Sequence, residues 1–130
     1  MFMPYKIGHV GIIPWQELEL TAGASAAIEL SVGTAMTASG IATGTTAPKY
    51  ISMSTQKIEA NETAKVPVIP ADADVIFETV LSADSASIAV GTKYTIDTTG
   101  GMITATSTSG VAEVVSFDGK AKGDKVRVRF

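Results

Sequence analysis

At 130 residues, the chain has the length of one domain, with no room for a second hydrophobic core. Apolar residues make up 45% of it and are mainly small or β-branched, which favours strands and turns, while 18% charged residues are too few for long solvated helices. The absence of cysteine excludes disulfides and thiolate metal sites. We therefore expect an all-β fold.

The net charge of −3 is unevenly distributed along the chain. Five basic residues and Asp124 give the last eleven positions a charge of +4, which leaves −7 for the preceding 119 residues. Nucleic-acid binding requires an extended cationic surface, whereas this protein is weakly acidic with one basic segment. We expect no direct nucleic-acid contact.

The first fifteen residues are apolar but interrupted by proline and glycine, which excludes a helix and weakens any long strand. Such a segment needs a partner surface, so it either packs into its own domain or lies extended on another protein. We favour the second, an extended N-terminal arm over residues 1–15. The arm residues expected to make contacts are Tyr5, Ile7, His9, Val10, Ile12, Ile13 and Trp15.

Neither secretion nor membrane insertion is expected from the sequence. The first residues lack the basic region and uninterrupted apolar core of a signal peptide. No segment approaches the roughly 20 apolar residues that cross a bilayer.

Residues 16–48 are rich in Ala, Thr, Ser and Gly and predict short strands separated by glycine turns. The predicted strands are residues 17–20, 27–30 and 34–37. A helix over residues 24–30 is the competing interpretation, because alanine is the best helix former, but seven unsupported residues make a marginal helix.

Strand signals become stronger after residue 49. Residues 56–62 are interpreted as a turn, and Pro67 suggests an edge strand. The pair Gly100-Gly101 between two β-forming runs predicts a hairpin. The predicted strands of this region are residues 50–55, 64–69, 75–81, 92–97 and 102–106.

The chain ends in a second predicted hairpin, formed by residues 111–117 and 125–130. The last run alternates, with Val126, Val128 and Phe130 on one face. The opposite face carries Lys125, Arg127 and Arg129. This cationic ridge either lies in solvent and discourages edge-to-edge pairing or faces an acidic partner surface.

Taken together, these elements predict a small β-barrel, β-tulip or sandwich-like domain of about nine short strands over residues 16–130, preceded by the arm. Because its C-terminal strand belongs to the sheet, the N-terminus is the end expected to be free.

Candidate catalytic and metal-binding residues are few. His9 is the single histidine and lies in the leader, a poor position for a rigidly oriented base. Asp72 and Asp74 suggest a calcium site, but the sequence around them offers too few further oxygen ligands. We expect no catalytic residue, no metal and no cofactor, and therefore no enzyme.

The order of turns and strands in the second half of the chain carries a resemblance. Its segments are residues 61–68, 76–79, 82–84, 90–96, 110–115 and 123–128. Over residues 58–130 the chain resembles the small head-decoration, or capsid cement, proteins encoded next to the major capsid gene in tailed phages and prophages of Gram-positive bacteria.

The resemblance implies a β-domain that binds the outer surface of an expanded capsid, a virion location after synthesis in the host cytoplasm, and the major capsid protein as partner. It also implies a homotrimer that clamps neighbouring capsid subunits against the pressure of packaged DNA. Two alternatives remain open. One is another virion part, such as a head-fibre base, a tail tube, a tail-spike module or a surface-displayed adhesion domain. The other is a small β-sandwich hydrolase or carbohydrate-binding module.

Overall fold

The structure, a computed structural model, describes residues 1–7, 15–72 and 74–130. These residues contain eleven strands and no helix, which confirms the predicted all-β class. The strands are β1 (Met3–Ile7), β2 (Gln16–Thr21), β3 (Ile28–Leu30), β4 (Ala35–Met36), β5 (Tyr50–Ser52), β6 (Gln56–Ile58), β7 (Thr63–Pro70), β8 (Val75–Val80), β9 (Lys93–Tyr94), β10 (Ala112–Phe117) and β11 (Lys125–Arg129).

The strands form three antiparallel sheets. The five-stranded sheet has the order β1-β8-β11-β10-β9, the four-stranded sheet has the order β2-β7-β5-β4, and β3 pairs with β6 in a two-stranded sheet. Burial alternates strictly along β8: Val75 and Phe77 are buried, whereas Ile76 and Glu78 are partly exposed. The five-stranded sheet therefore has one core face and one outer face.

The four-stranded sheet is covered on both faces. Ala35, Ile51 and Ile69 are register partners and belong to a cluster shared with the five-stranded sheet. Met36 and Val66 point to the opposite face, into a second cluster that includes residues of the two-stranded sheet. The molecule is therefore a layered β-sandwich with open sheets, and the predicted barrel closure is not found.

The N-terminal residues correct the expectation of an extended arm. Residues 3–7 form β1, which pairs with β8, and Phe2 is fully buried. The Phe2 ring packs edge-on against Phe130 with centroids 5.3 Å apart, and its backbone N–H donates to the Gly33 carbonyl at 2.8 Å. A buried aromatic side chain removes about 150–250 Å² from water, which favours the core over a free arm. Residues 1–7 thus pack into their own domain, and both ends of the chain meet there.

Most of the other predicted strands are present, with shifted ends. The C-terminal hairpin is confirmed as β10 and β11, and a strand at residues 28–30 replaces the alternative helix. Residues 56–58, interpreted as part of a turn, form β6. The predicted strand at residues 102–106 is reduced to a single antiparallel bridge between Ile103 and Ile96, on either side of the Gly100-Gly101 turn.

Pro67 lies in the interior strand β7, so the predicted edge position is wrong. The pairing of β5 with β7 covers residues up to Val68, and the Pro67 carbonyl accepts a hydrogen bond from the Met53 N–H just beyond it. Proline has no N–H to donate to a neighbouring strand. At Pro67 no donor is needed on that side, because β5 ends one residue earlier, at Ser52.

Candidate functional site

The basic C-terminal strand lies in the middle of the five-stranded sheet. β11 pairs with β8 on one side and β10 on the other. Val126 and Val128 are fully buried, whereas Lys125, Arg127 and Arg129 point to the outer face, as the alternation predicts. The three cations are therefore fixed on a rigid surface rather than on a loop.

Carboxylates on the neighbouring strands and on the β10–β11 hairpin neutralise these cations. Arg127 Nε donates to Glu78 Oε2 at 2.9 Å, and both of its Nη atoms donate to Asp118. Arg129 Nη2 donates to Glu113 Oε1 at 2.6 Å, and Lys125 Nζ lies 3.8 Å from Glu78 Oε1. The predicted cationic ridge is thus an ion-pair network.

Arg127 is the centre of that network. Its side chain is only 14% exposed, which makes its geometry more restricted than that of an ordinary surface arginine. Hydrogen bonding from Arg127 holds the pKa of Asp118 below its usual value. Hydrogen bonds to Asp118 and, to a lesser extent, to Glu78 raise the pKa of Arg127, so the guanidinium stays charged at every accessible pH.

The guanidinium also contacts an aromatic ring from the N-terminal strand. Its Cζ atom lies 5.0 Å from the centroid of the Tyr5 ring, within the range of cation–π attraction. The register of β1 against β8 shifts between Pro4 and Lys6, so Tyr5 is the extra residue of a β-bulge, a device that re-aims a side chain. Tyr5 and Arg127, predicted separately as arm and basic strand, therefore meet on one surface.

We call this surface the Tyr5–Arg127 surface. It comprises Met3, Tyr5, Glu78, Glu113, Asp118, Lys125, Arg127 and Arg129. Met3 pairs with Glu78 across β1 and β8, which puts it on the same face, and Tyr5 is 57% exposed. An exposed ring with one face held by a cation has lost side-chain freedom before any partner arrives, and rigid aromatics are common binding anchors.

The Tyr5–Arg127 surface adjoins a free sheet edge. β1 is an edge strand of the five-stranded sheet and pairs only with β8 among the described strands. Edge strands present backbone groups to which another strand can add. The surface therefore offers side-chain and backbone contacts side by side.

The structure describes two of the remaining predicted contact residues. Ile7 is the last residue of β1, whereas Trp15 is exposed and directly precedes β2 in the other large sheet. The predictions for His9, Val10, Ile12 and Ile13 lie outside the described residues.

Sequence reasoning missed the acidic half of the surface. Glu78 was part of a strongly β-forming run, and its alternation with buried Phe77 and Thr79 does place it on the outer face. Its pairing with Arg127 depends on the β8–β11 register, which joins segments distant in the sequence. Asp118 and Glu113 are brought in by the β10–β11 hairpin.

The predicted acidic loop does not form a recognisable metal centre. Asp72 is exposed and lines a cleft, and Asp74 adopts a positive φ of 50°. Within residues 1–7, 15–72 and 74–130, no three His, Asp or Glu side chains are grouped as metal ligands would be. The same residues include no helix of the length and apolarity that a membrane crossing requires.

Comparison of the chain with protein-family models, curated proteins and solved structures finds no match. The Tyr5–Arg127 surface is the feature from which a function can be argued.

Proposed function

We propose that the protein is a capsid decoration protein, which binds the outer surface of an expanded phage head and holds neighbouring major capsid subunits together. The resemblance over residues 58–130 suggests this class. The observation that carries the proposal is the Tyr5–Arg127 surface, where an exposed, pre-oriented aromatic lies on β1, a strand that pairs only with β8 among the described strands of the sandwich. These are the properties of a binding module rather than of a reaction centre.

The proposed mechanism is mechanical. Each copy contacts more than one capsid subunit, with Tyr5 as an apolar anchor and the outward charges fixing orientation. A single such contact is modest, but repetition over a lattice opposes separation of adjacent subunits through avidity. The proposal includes a homotrimer on the outside of the virion, no direct contact with nucleic acid or membrane, and no enzymatic step.

Binding to purified expanded heads that lack this protein tests the proposal. We expect Tyr5→Ala to weaken binding at least about tenfold, which corresponds to about 1.4 kcal/mol and is in the usual range for an aromatic anchor. Val90→Ala is the matched control, because Val90 is also an exposed apolar residue but lies in the loop before β9, at the opposite edge of the five-stranded sheet from Tyr5. Circular dichroism checks that both variants are folded.

Two results would contradict the proposal. Failure of the unmodified protein to bind heads at any concentration would reject the decoration role itself. Equal saturation by the Tyr5→Ala and Val90→Ala variants would reject the Tyr5–Arg127 surface as the capsid contact.

A further inference from the structure

A cleft opens where the five-stranded and four-stranded sheets separate at one end of the sandwich. Its volume is about 580 Å³, within the range of about 300–1,000 Å³ that is typical of ligand pockets. Lys93, Val111 and Phe130 line it from the five-stranded sheet and its flanks, and Tyr50 and Pro70 line it from the four-stranded sheet. The Tyr5–Arg127 surface does not contribute to it.

One wall of this cleft is fixed by core contacts. Phe130 packs against both Phe2 and Phe77, with ring centroids 5.3 and 6.0 Å apart. On the same wall, the turn before β10 lies so close to β9 that a Cβ on Gly110 would fall 2.2 Å from the Lys93 carbonyl oxygen. The wall from the five-stranded sheet is therefore preformed, which lowers the entropic cost of binding.

The chemistry of the lining combines a flat apolar floor with free positive charge. Tyr50, Phe130 and Pro70 provide ring surfaces. Lys49 and Lys93 are exposed lining residues and make no ion pair in the described part of the chain, unlike the cations of β11, although Lys93 lies opposite Glu113 across β9 and β10. Asp72 is the one acidic residue of the lining. A ligand with an apolar group and a carboxylate complements this arrangement.

The shape favours an extended ligand over a compact one. A second cleft of about 270 Å³ continues from the first, since both share Asp72 and Phe130. The second cleft leads along Val75 and Ile76, at the start of β8, and is also lined by Asp74 and by Arg129, which it shares with the Tyr5–Arg127 surface. An extended peptide can place one side chain in each cleft, because successive side chains of an extended chain point to opposite sides.

We propose that this cleft is a second binding site, which takes an extended peptide segment of another protein in which an acidic residue adjoins an aromatic or branched apolar residue. The apolar side chain lies on Tyr50 and Phe130, and the carboxylate faces Lys49 and Lys93. The inference does not depend on the proposed decoration function.

Nuclear magnetic resonance titration of the ¹⁵N-labelled full chain tests this site. The probe is N-acetyl-Asp-Phe-amide, and the matched probe is N-acetyl-Asn-Phe-amide, which has the same shape without the charge. We expect the acidic probe to shift the amide resonances of Lys49, Tyr50, Lys93, Val111 and Phe130. We also expect it to bind at least about threefold more tightly than the neutral probe, because of the two lysines.

Substitutions of charged lining residues test whether those charges cause the preference for the acidic probe. The double substitution Lys49→Gln and Lys93→Gln, at exposed positions, should remove the preference for the acidic probe over the neutral one. Asp72→Asn should strengthen acidic-probe binding about twofold, because it removes a repelling carboxylate. Unchanged spectra outside the cleft would show that the variants are folded.

Three outcomes would overturn the proposal of a peptide-binding site. The acidic probe could shift no cleft resonance up to its solubility limit, or it could show the same affinity as the neutral probe. In the third outcome, maltose or chitobiose shifts the cleft resonances while neither peptide does, which would replace the peptide by a carbohydrate.

Discussion

At the scale of single residues, Arg127 organises the outer face of the five-stranded sheet. It bonds to carboxylates from β8 and from the β10–β11 hairpin, and its guanidinium also lies over the Tyr5 ring. Exposed ion pairs typically contribute little to stability, but Arg127 is mostly buried and bidentate toward Asp118. Loss of either acid therefore changes the orientation of the guanidinium as well as its charge balance.

Asp118 gives this network a pH dependence with a defined sign. Hydrogen bonding from Arg127 lowers the folded-state pKa of Asp118 below 3.8, so its charged form stabilises the folded protein above about pH 3.8. That stabilisation is lost as the pH falls through the lowered pKa. We expect Asp118→Asn to be less stable than the unmodified protein near neutral pH, and the difference to vanish in acid.

Urea unfolding measured from about pH 7 to about pH 2 checks this prediction. The control is Arg127→Met, in whose background Asp118→Asn should show a much smaller pH-dependent difference, because the largest cause of the pKa shift is gone and only the attraction of Lys125 remains. A difference between Asp118→Asn and the unmodified protein that stays constant with pH would contradict the assignment.

At the scale of strands, the N-terminal strand β1 differs most from what the sequence predicts. β1 closes one edge of the five-stranded sheet, and the burial of Phe2 joins it to the C-terminal Phe130. Phe2, directly before β1, thus packs in the core, while Met3 and Tyr5 of β1 are exposed on the outer face. Deletion of residues 1–15 would remove both roles at once, so point substitutions are needed to separate them.

Phe2→Ala tests the core role of the N-terminus. We expect a loss of about 3–5 kcal/mol in the free energy of unfolding, the usual cost of truncating a buried phenylalanine. Met3→Ala, one residue further and on the outer face, should change it by about 0.5 kcal/mol at most. Equal and small effects of both substitutions in urea unfolding would mean that residues 1–7 do not pack as described.

Gly110 tests the close approach of the turn before β10 to β9. An alanine there would clash with the Lys93 backbone, so we expect Gly110→Ala to cost about 1–3 kcal/mol through overpacking. Gly40→Ala is the control, because a Cβ at Gly40 meets nothing within 4 Å and the residue has no positive φ. It should be neutral or stabilising by up to about 1 kcal/mol. Thermal unfolding that ranks the two variants in the reverse order would refute this packing.

The strands that the sequence predicted best are those whose alternation is decided locally. In β11 every second residue is apolar and buried, so period-2 reasoning places both faces correctly, and β8 was predicted as a strand from its β-forming residues although one of its buried residues, Thr79, is polar. Pattern reasoning failed for β1, where Pro4 argues against a strand but lies in an edge strand beside the bulge at Tyr5, and for β6, which is held by pairing with β3. Both depend on partners that are remote in the sequence.

At the scale of the whole molecule, the two sites differ in how far the sequence alone predicts their residues. The residues of the Tyr5–Arg127 surface were partly predictable, since Tyr5 and the three cations were identified from the chain alone. Their convergence was not, because it depends on the order β1-β8-β11-β10. The cleft at the end of the sandwich was not foreseen at all, since its lining comes from short segments of both large sheets.

The decoration role makes a stoichiometric prediction for the assembled particle. A protein that clamps neighbouring subunits over the whole lattice must be present in numbers comparable to the capsid protein, whereas a tail, portal or fibre component is present in few copies. The same distinction separates the proposed function from the other virion roles considered from the sequence.

The most direct test is therefore the copy number of this chain in virions produced from the genome that encodes it, by quantitative mass spectrometry against the major capsid protein. The decoration role predicts a ratio close to one. A ratio of a few copies per particle would contradict lattice-wide binding and place the protein at a unique vertex or in the tail. Its complete absence from virions would contradict a structural role in the particle.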